Sequence, residues 1–474
     1  MGLNLSSFVS IELDFDKILG YAEDLGAAYT DLRYNIQRVE TIVIENGNLR
    51  EFSSSVKKGL GIRVIVDGYQ GYSSTSRLDE GSIKEAVKKA VELAKALKGR
   101  SEKVVLSEVP AIKDRMMAPY KVDPLTVDPK DKVELLTHVN KVGLEVRDVK
   151  SSLTRMGIQS DYRIFVSSTG SRVETLVNLV GIGQLSVAGQ AGRLERVADA
   201  RSRVAGYEFI NSFNWDDFVK EISELASKAS KAGLPPAGTY TAIIDPDVVG
   251  LLLHEAFGHA SEGDLVEAGS SVLAGQLGKA VASEYVTIVD EGVVEGGYFA
   301  PYDDEGVRKN RTVIVEKGIL KSFLTSRHVA GKLGVEATGN GRAQDYAAVP
   351  IVRQTNYYML SGDYSVEELI EDVSEGIYVT GKGITGGEVN PGAGTFTFSV
   401  GISWLIRNGE RKDMVRGVTL SGLILDVLKS VDAVGKDLRV RTSVFGGCGK
   451  DGQTVKVGLG GPHIRVRKIT VGGR

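Results

Sequence analysis

A single cysteine among 474 residues excludes an intrachain disulfide framework and points to a reducing compartment, read here as the cytoplasm. An excess of one charge is missing too. With a net charge of −3 and no basic run interleaved with aromatics, the chain shows no sign of a nucleic-acid-binding surface. No apolar stretch approaches the roughly 18–20 residues of a membrane span, so no membrane partner is expected. The opening residues, MGLNLSSFVSIELDFDK, lack both a basic region and a long apolar one and do not read as a signal peptide. They fit a myristoylation pattern through Gly2 and Ser6, a short pattern that often arises by chance. The remaining composition, 42% hydrophobic and 25% charged, is that of a globular chain with roughly two to four packed units.

Glycine is what the chain has in abundance, 57 residues with many in the last third, which suggests turns, bulges and backbone lining a cavity. Residues 14–27 read as a helix, followed by extended segments at 32–45 and 49–57 around the hairpin signal Asn46-Gly47. Residues 60–66 read as a strand closed by Asp67-Gly68, and 83–97 as a helix with Ala86, Ala90, Leu93 and Leu97 on one face. A polar, proline-containing connection spans about 98–128. The middle segment repeats the style, with helices near 130–147 and 215–231 and hairpins around 167–170 and 187–192. Leu234-Pro235-Pro236-Ala237-Gly238 is the clearest boundary.

Beyond that boundary, 240–244 reads as a strand and Asp245-Pro246-Asp247 as the start of a helix, with Asp245 as N-cap and Pro246 in the first helical position. Glycine-punctuated strands such as 312–315, 357–360 and 395–404 follow, with one further helix at 421–431. The expected fold class is therefore α+β. An N-terminal α+β domain (1–105) and a middle α+β domain (106–235) precede a C-terminal domain (236–474), whose mainly antiparallel, barrel-like sheet carries the histidine-bearing helix.

That helix bears His254-Glu255-Ala256-Phe257-Gly258-His259. The zinc-protease signature H-E-x-x-H puts two histidines on one helical face with the glutamate as general base. Here the histidines are one residue further apart, and on a regular helix their side chains diverge by roughly 140°. They share a metal only if the helix widens by a π-type turn or ends near Gly258. The segment is thus either a metal site of unusual geometry or a coincidence. The preceding residues are mostly apolar, so the helix is buried, and unpaired histidines and a glutamate at its far end would be costly.

The lone Cys448 has two readings, a small buried hydrophobe or a functional thiol. It stands among Gly446, Gly447, Gly449 and Gly452, which makes it a loop or bulge residue. Gly449-Lys450 superficially suggests a phosphate loop, but Val444 stands where the first glycine is needed and Asp451 replaces Ser/Thr. His254, His259 and Cys448 would form an N,N,S set with a fourth zinc position open for water, and Glu255 would take the proton from that water.

Three motifs together, His254 through Asp264, Val389-Asn390-Pro391-Gly392-Ala393-Gly394-Thr395-Phe396, and Gly447 through Gln453, resemble the TldD/PmbA family of metalloproteases, in its catalytic TldD-like branch. The resemblance covers essentially the whole chain. It implies zinc-dependent hydrolysis of small or unfolded peptides, with His254, His259 and Cys448 holding one zinc ion and Glu255 as general base. It also implies an enclosed channel formed by a dimer, either a homodimer or a heterodimer with a PmbA-like paralogue. The alternatives are a non-catalytic peptide-binding or partner subunit of such a dimer, and a zinc amidase acting on a modified peptide. Glu262 and Asp264 either orient the ligand histidines or form a solvent-facing acidic cluster. His328 and His463 either approach the channel or serve as ordinary core or surface histidines. Residues 390–395 are expected to form a tight turn, and His138 is assigned no role.

Overall fold

Asn46 and Gly47, at φ 52° and 77°, make the tight turn expected between β1 (Tyr29–Glu45) and β2 (Asn48–Val66). The computed structural model describes residues 13–190, 193–383 and 386–473; Gly2 and Ser6 therefore lie outside the described residues. Asp67 and Gly68, at φ 53° and 89°, repeat the turn between β2 and β3 (Tyr69–Thr75). The two segments 49–57 and 60–66 are one strand, because Gly59 and Gly61 pair across to Asn35 and Arg33 without breaking the ladder. The connection 98–128 contains a further strand, β4 (Lys113–Met117), which runs parallel to β6 (Arg172–Gln190). Its five residues include only two methionines as apolar groups, so no period marks it in the sequence.

β5 (Val149–Ser167), β6 and β7 (Arg193–Val204) complete a seven-stranded sheet in the order β3-β2-β1-β5-β6-β4, with β7 also on β6. The hairpin expected around 187–192 joins β6 to β7, and residues 191–192 lie outside the described residues. The first two segments of the chain thus share one sheet, with β1 and β5 paired from Asp31↔Ser167 to Glu45↔Leu153.

The two faces of this sheet differ. Along β1, Leu32, Tyr34 and Ile36 pack in the core formed with helices Phe15–Asp24 and Glu80–Ala96. Further on, Ile42 and Ile44 join the core of helices Pro129–Glu145 and Trp215–Ala229. Asp79, Asp128 and Asn214 cap three of these helices through their side chains. The intervening residues point the other way: Asp31, Arg33, Asn35, Arg63 and Asp161 are buried on that face, and Arg163 is half-buried there. Arg63 pairs with Asp31 and Glu305, each at 2.6 Å, and Arg163 with Asp304 at 2.7 Å. These contacts fasten the sheet to the C-terminal part of the chain; buried charge is tolerated there because it is paired.

In that C-terminal part, β8 (Gly238–Ile244) lies between Ile464–Gly473, antiparallel, and Glu375–Val379, parallel. The resulting nine-stranded sheet is open rather than barrel-like: its ends, Gly386–Asn390 and Glu410–Val415, do not pair with each other. The span 395–404 divides into Thr395–Ser399 and Ser403–Arg407, because Gly401 turns its N–H to the carbonyl of Thr380. The helix expected over 421–431 is confined to Ile424–Lys429, after a strand Val418–Leu423. A six-stranded sheet including Ile288–Glu291, Asn356–Met359 and Gly458–Gly461 shares the core of helix Pro246–Leu252. No helix among the described residues is long and apolar enough to cross a membrane.

Candidate metal centre

Asp245 ends β8 and starts the helix that follows. Its Oδ1 accepts the Val248 N–H at 2.9 Å and its Oδ2 the Gly381 N–H at 3.0 Å, and Pro246 occupies the first turn. The helix is regular through Leu252, and then it widens. Residues Leu253–Gly258 are π-helical, and the N–H of His259 reaches back five residues to the carbonyl of His254. This is the widening that the spacing of the two histidines demands. Their rings lie 5.2 Å apart, centroid to centroid, inclined at 71°.

Gln354 supports the widened turn by donating from Nε2 to the same His254 carbonyl at 3.0 Å. A Cβ on residue 258 would lie 2.2 Å from the Gln354 Oε1, so any side chain there would displace the Gln354 amide. A 3-10 turn, His259–Ser261, follows at once, fixed by Ser261 Oγ donating to the Gly258 carbonyl at 2.7 Å.

Cys448 arrives from the other end of the chain, on a short strand Cys448–Lys450 that pairs with Gln453–Val455 across the Asp451-Gly452 turn. The fully buried Arg353 donates to the Cys448 carbonyl, and to that of Gln453 at 3.3 Å. The Cys448 Sγ lies 3.4 Å from His259 Nε2, and one ligand atom from each of His254, His259 and Cys448 falls within 4.8 Å of the others. Burial resists ionisation of the Cys448 thiol, but the two imidazoles overcome it and bring the thiol down to about 4. Burial also opposes protonation of His259, and there the Cys448 thiolate and Glu262 win, raising it to about 10. His254 Nδ1 is buried with no hydrogen-bond partner, a costly state unless something else satisfies the ring. Two imidazoles and a thiolate converging on one point are a donor set for a soft or borderline metal cation.

A second group of residues holds His259. Glu262 Oε2 lies 3.2 Å from His259 Nδ1, which directs the opposite nitrogen, Nε2, toward Cys448. Glu262 is fully buried; burial would raise its carboxyl, yet His259 and Lys450 hold it below the usual range. Lys450 Nζ donates to Glu262 Oε2 at 2.8 Å, to Asp264 Oδ2 at 2.6 Å and to the Val352 carbonyl at 3.2 Å. Of the two acidic residues, then, Glu262 meets His259 and Asp264 meets the lysine. Sequence reasoning missed Lys450, Arg353 and Gln354. Two acids at the end of a buried helix require a cation, and that signal could have called for a basic partner without saying which one.

Glu255 Oε2 lies 3.9 Å from His259 Nε2, and its side chain is 37% exposed while both histidines are buried. It borders the donor cluster and solvent together. His463 is not brought in: it stacks on Tyr378, with Nδ1 2.6 Å from Asp437 Oδ2 and Nε2 2.9 Å from the Tyr378 hydroxyl. His328 is half-buried on helix Arg327–Leu333, and His138 pairs with Asp216 at 3.0 Å on the surface. Residues 390–395 form the expected tight turn, in which Gly394 at φ 69° donates to the Asn390 carbonyl at 2.7 Å. The strand leading into it packs beside the π-helical turn.

Comparison with known proteins bears on this arrangement. Residues 237–473 match the PmbA/TldA metallopeptidase C-terminal domain, and residues 30–94 match domain 1 of the same metallopeptidases. A metalloprotease of Methanocaldococcus jannaschii is 39% identical over 441 residues, 92% of this chain and 95% of that protein. A zinc metalloprotease TldD homolog of Saccharolobus solfataricus is 30% identical over 463 residues, 96% of this chain and 99% of that protein. Among solved structures, TldE of Thermococcus kodakarensis superposes with a TM-score of 0.78 at 20% identity, covering 97% of this chain and 100% of that one. A Thermotoga maritima protein superposes with a TM-score of 0.80 at 21% identity, covering 97% and 99%. At these identities the structural likeness concerns the fold.

Proposed function

The chain belongs to the TldD/PmbA family of metallopeptidases, and on that premise we propose that it hydrolyses peptide bonds with one zinc ion held by His254, His259 and Cys448 and with Glu255 as general base. The observation that carries this reading is the meeting of His259 Nε2 and Cys448 Sγ at 3.4 Å beside the half-exposed Glu255. Zinc in such a site lowers the pKa of water toward about 7 and polarises a carbonyl oxygen. The residues of the chain do the rest. Glu255, open to solvent, takes a proton from the attacking water and delivers it to the departing amine as the C–N bond breaks. Glu262 keeps His259 Nδ1 engaged, so that Nε2 faces the cluster throughout. The peptide is short or unfolded, since an extended backbone is what an exposed strand beside the site, Gly386–Asn390, could pair with.

The active form is a dimer with a homologous subunit, of this chain or a PmbA-like paralogue, in the cytoplasm, where the lone thiol stays reduced. Support for a partner comes from β2. From Asn48 to Lys58 its outer edge has no strand partner among the described residues, and Leu49, Phe52 and Val56 are exposed there.

The test is zinc content and peptidase activity of the wild type and of Glu255→Ala. Zinc retained with cleavage lost is the expected result; cleavage unchanged in the variant removes Glu255 as the base.

A further inference from the structure

The third metal ligand sits after a segment with little conformational restraint of its own. Between Phe445 and Cys448 stand only Gly446 and Gly447, both exposed, and two consecutive glycines do not define a path for the chain. The placement of Cys448 must therefore come from what anchors the chain on either side. On the far side the anchors are the Arg353 contact to the Cys448 carbonyl and the pairing of Cys448 with Val455. On the near side it is the N-terminal sheet.

Val444 and Phe445 lie against the charged face of that sheet where β5 and β6 carry glycines. A Cβ on Gly157 would lie 2.8 Å from Val444 Cγ1 and 3.1 Å from Phe445 Cε1, and one on Gly183 would lie 3.2 Å from Phe445 Cε2. Arg155, paired with Gly183 across the two strands, spreads its guanidinium over the Phe445 ring at 4.1 Å from the centroid. The backbone is tied down as well. Val444 N–H donates to Ser202 Oγ at 3.2 Å, and Lys456 Nζ donates to the carbonyls of Val444 and Gly446, each at 2.7 Å.

We infer that Phe445, seated in the glycine socket of β5 and β6 beneath Arg155, is a positioning residue for the metal centre, which makes the N-terminal sheet a structural component of that centre. The inference rests on Cys448 being a ligand. Phe445 is not one of the donor residues; it fixes where the backbone begins its two-glycine step to Cys448. Filling the socket displaces Val444 and Phe445 and moves the thiolate away from the two imidazoles, with the helix and its histidines left in place.

Cobalt(II) titration of the metal-free, full-length protein tests this, read as near-ultraviolet thiolate-to-cobalt charge transfer alongside the visible ligand-field bands. The wild type should show the charge-transfer band and Cys448→Ser should lack it. Gly157→Ala and Phe445→Ala should keep their far-ultraviolet circular dichroism, lose most of the band and bind cobalt about 10- to 100-fold more weakly. Gly157→Ala/Val444→Ala, which removes the nearest atoms that the new Cβ meets and leaves the 3.1 Å approach to Phe445 Cε1, should restore most of the band and of the affinity. That pair decides the matter even if Phe445→Ala does not fold. A full band with wild-type affinity in Gly157→Ala overturns the positioning role. No band in the wild type overturns Cys448 as a ligand, and the positioning role with it.

Discussion

The backbone N–H of His259 donates to the carbonyl of His254, five residues earlier, and this one hydrogen bond converts a divergent pair of imidazoles into a convergent one. In a regular helix the same N–H would bond to Glu255, and the rings would lie on different faces. The π-helical turn costs some backbone regularity, and the surrounding groups, Gln354 above all, hold it in place.

Gly258→Ala should therefore damage the site without touching any donor. The new methyl meets Gln354 Oε1 and pushes the amide off the His254 carbonyl. The expected cost is about 1–3 kcal/mol of stability, the range for overpacking a buried position, together with weaker metal binding. Chemical denaturation and a metal titration on the same preparation measure both; unchanged values in both show that the turn does not need Gln354.

Lys450→Met should destabilise more strongly than a typical surface change. It leaves Glu262, fully buried, with only His259, and leaves Asp264 without its cation. Breaking a buried pair from one side costs about 3–5 kcal/mol. Urea denaturation at neutral pH gives the number, and a cost below 1 kcal/mol would show that the carboxylates relax or protonate without penalty.

Cys448→Ser exchanges a soft donor for a hard, weakly acidic one, so zinc affinity should drop. Because a ligand that binds only the folded state stabilises by mass action, added zinc should raise the melting temperature of the wild type more than that of the variant. A chelator should lower the wild-type melting temperature and abolish peptidase activity. Equal thermal shifts in the two proteins would leave Cys448 a structural residue.

Acid should loosen the contact between the N-terminal sheet and the C-terminal part of the chain. Burial would raise the Asp304 carboxyl, but Arg163 and Arg33 keep it below its ordinary value of 3.8. A carboxyl held low contributes stability that is complete above that ordinary value and is lost as pH falls through the folded one. Stability should decline below about pH 4, and Asp304→Asn should be less stable at pH 7 while showing a shallower acid limb. Denaturation midpoints across that range test it; parallel acid limbs in the two proteins would assign the acid sensitivity elsewhere.

Much of the helix-bearing motif was legible because its information is local. Asp245 and Pro246 announce the helix start, and the five-residue spacing of the histidines states a geometric requirement that the backbone meets. The hairpin turns at Asn46-Gly47 and Asp67-Gly68 were legible for the same reason, since few residues tolerate positive φ. What stayed hidden depends on contacts between distant positions. Gln354 lies 100 residues from the carbonyl it holds, and Lys450 lies 188 from the carboxylate it neutralises. Nothing in the local pattern distinguishes those side chains from ordinary polar residues. β4 was invisible too, because its pairing with β6 rather than any internal alternation makes it a strand. The open course of the nine-stranded sheet depends on strand order, which periodicity does not encode.

The alternation along β1 also acts as a two-way address code. Residues 32, 34, 36, 42 and 44 are addressed to the helices, and 31, 33 and 35 to the ion pairs and polar contacts of the opposite face. A slip of one residue against β2 or β5 would not merely misalign hydrogen bonds. It would deliver arginine and aspartate to an aliphatic interior and isoleucine to a lattice of unpaired charge. The same alternation that builds the helical cores therefore excludes the neighbouring registers, and with them the misassembled forms to which long, open-edged sheets are prone.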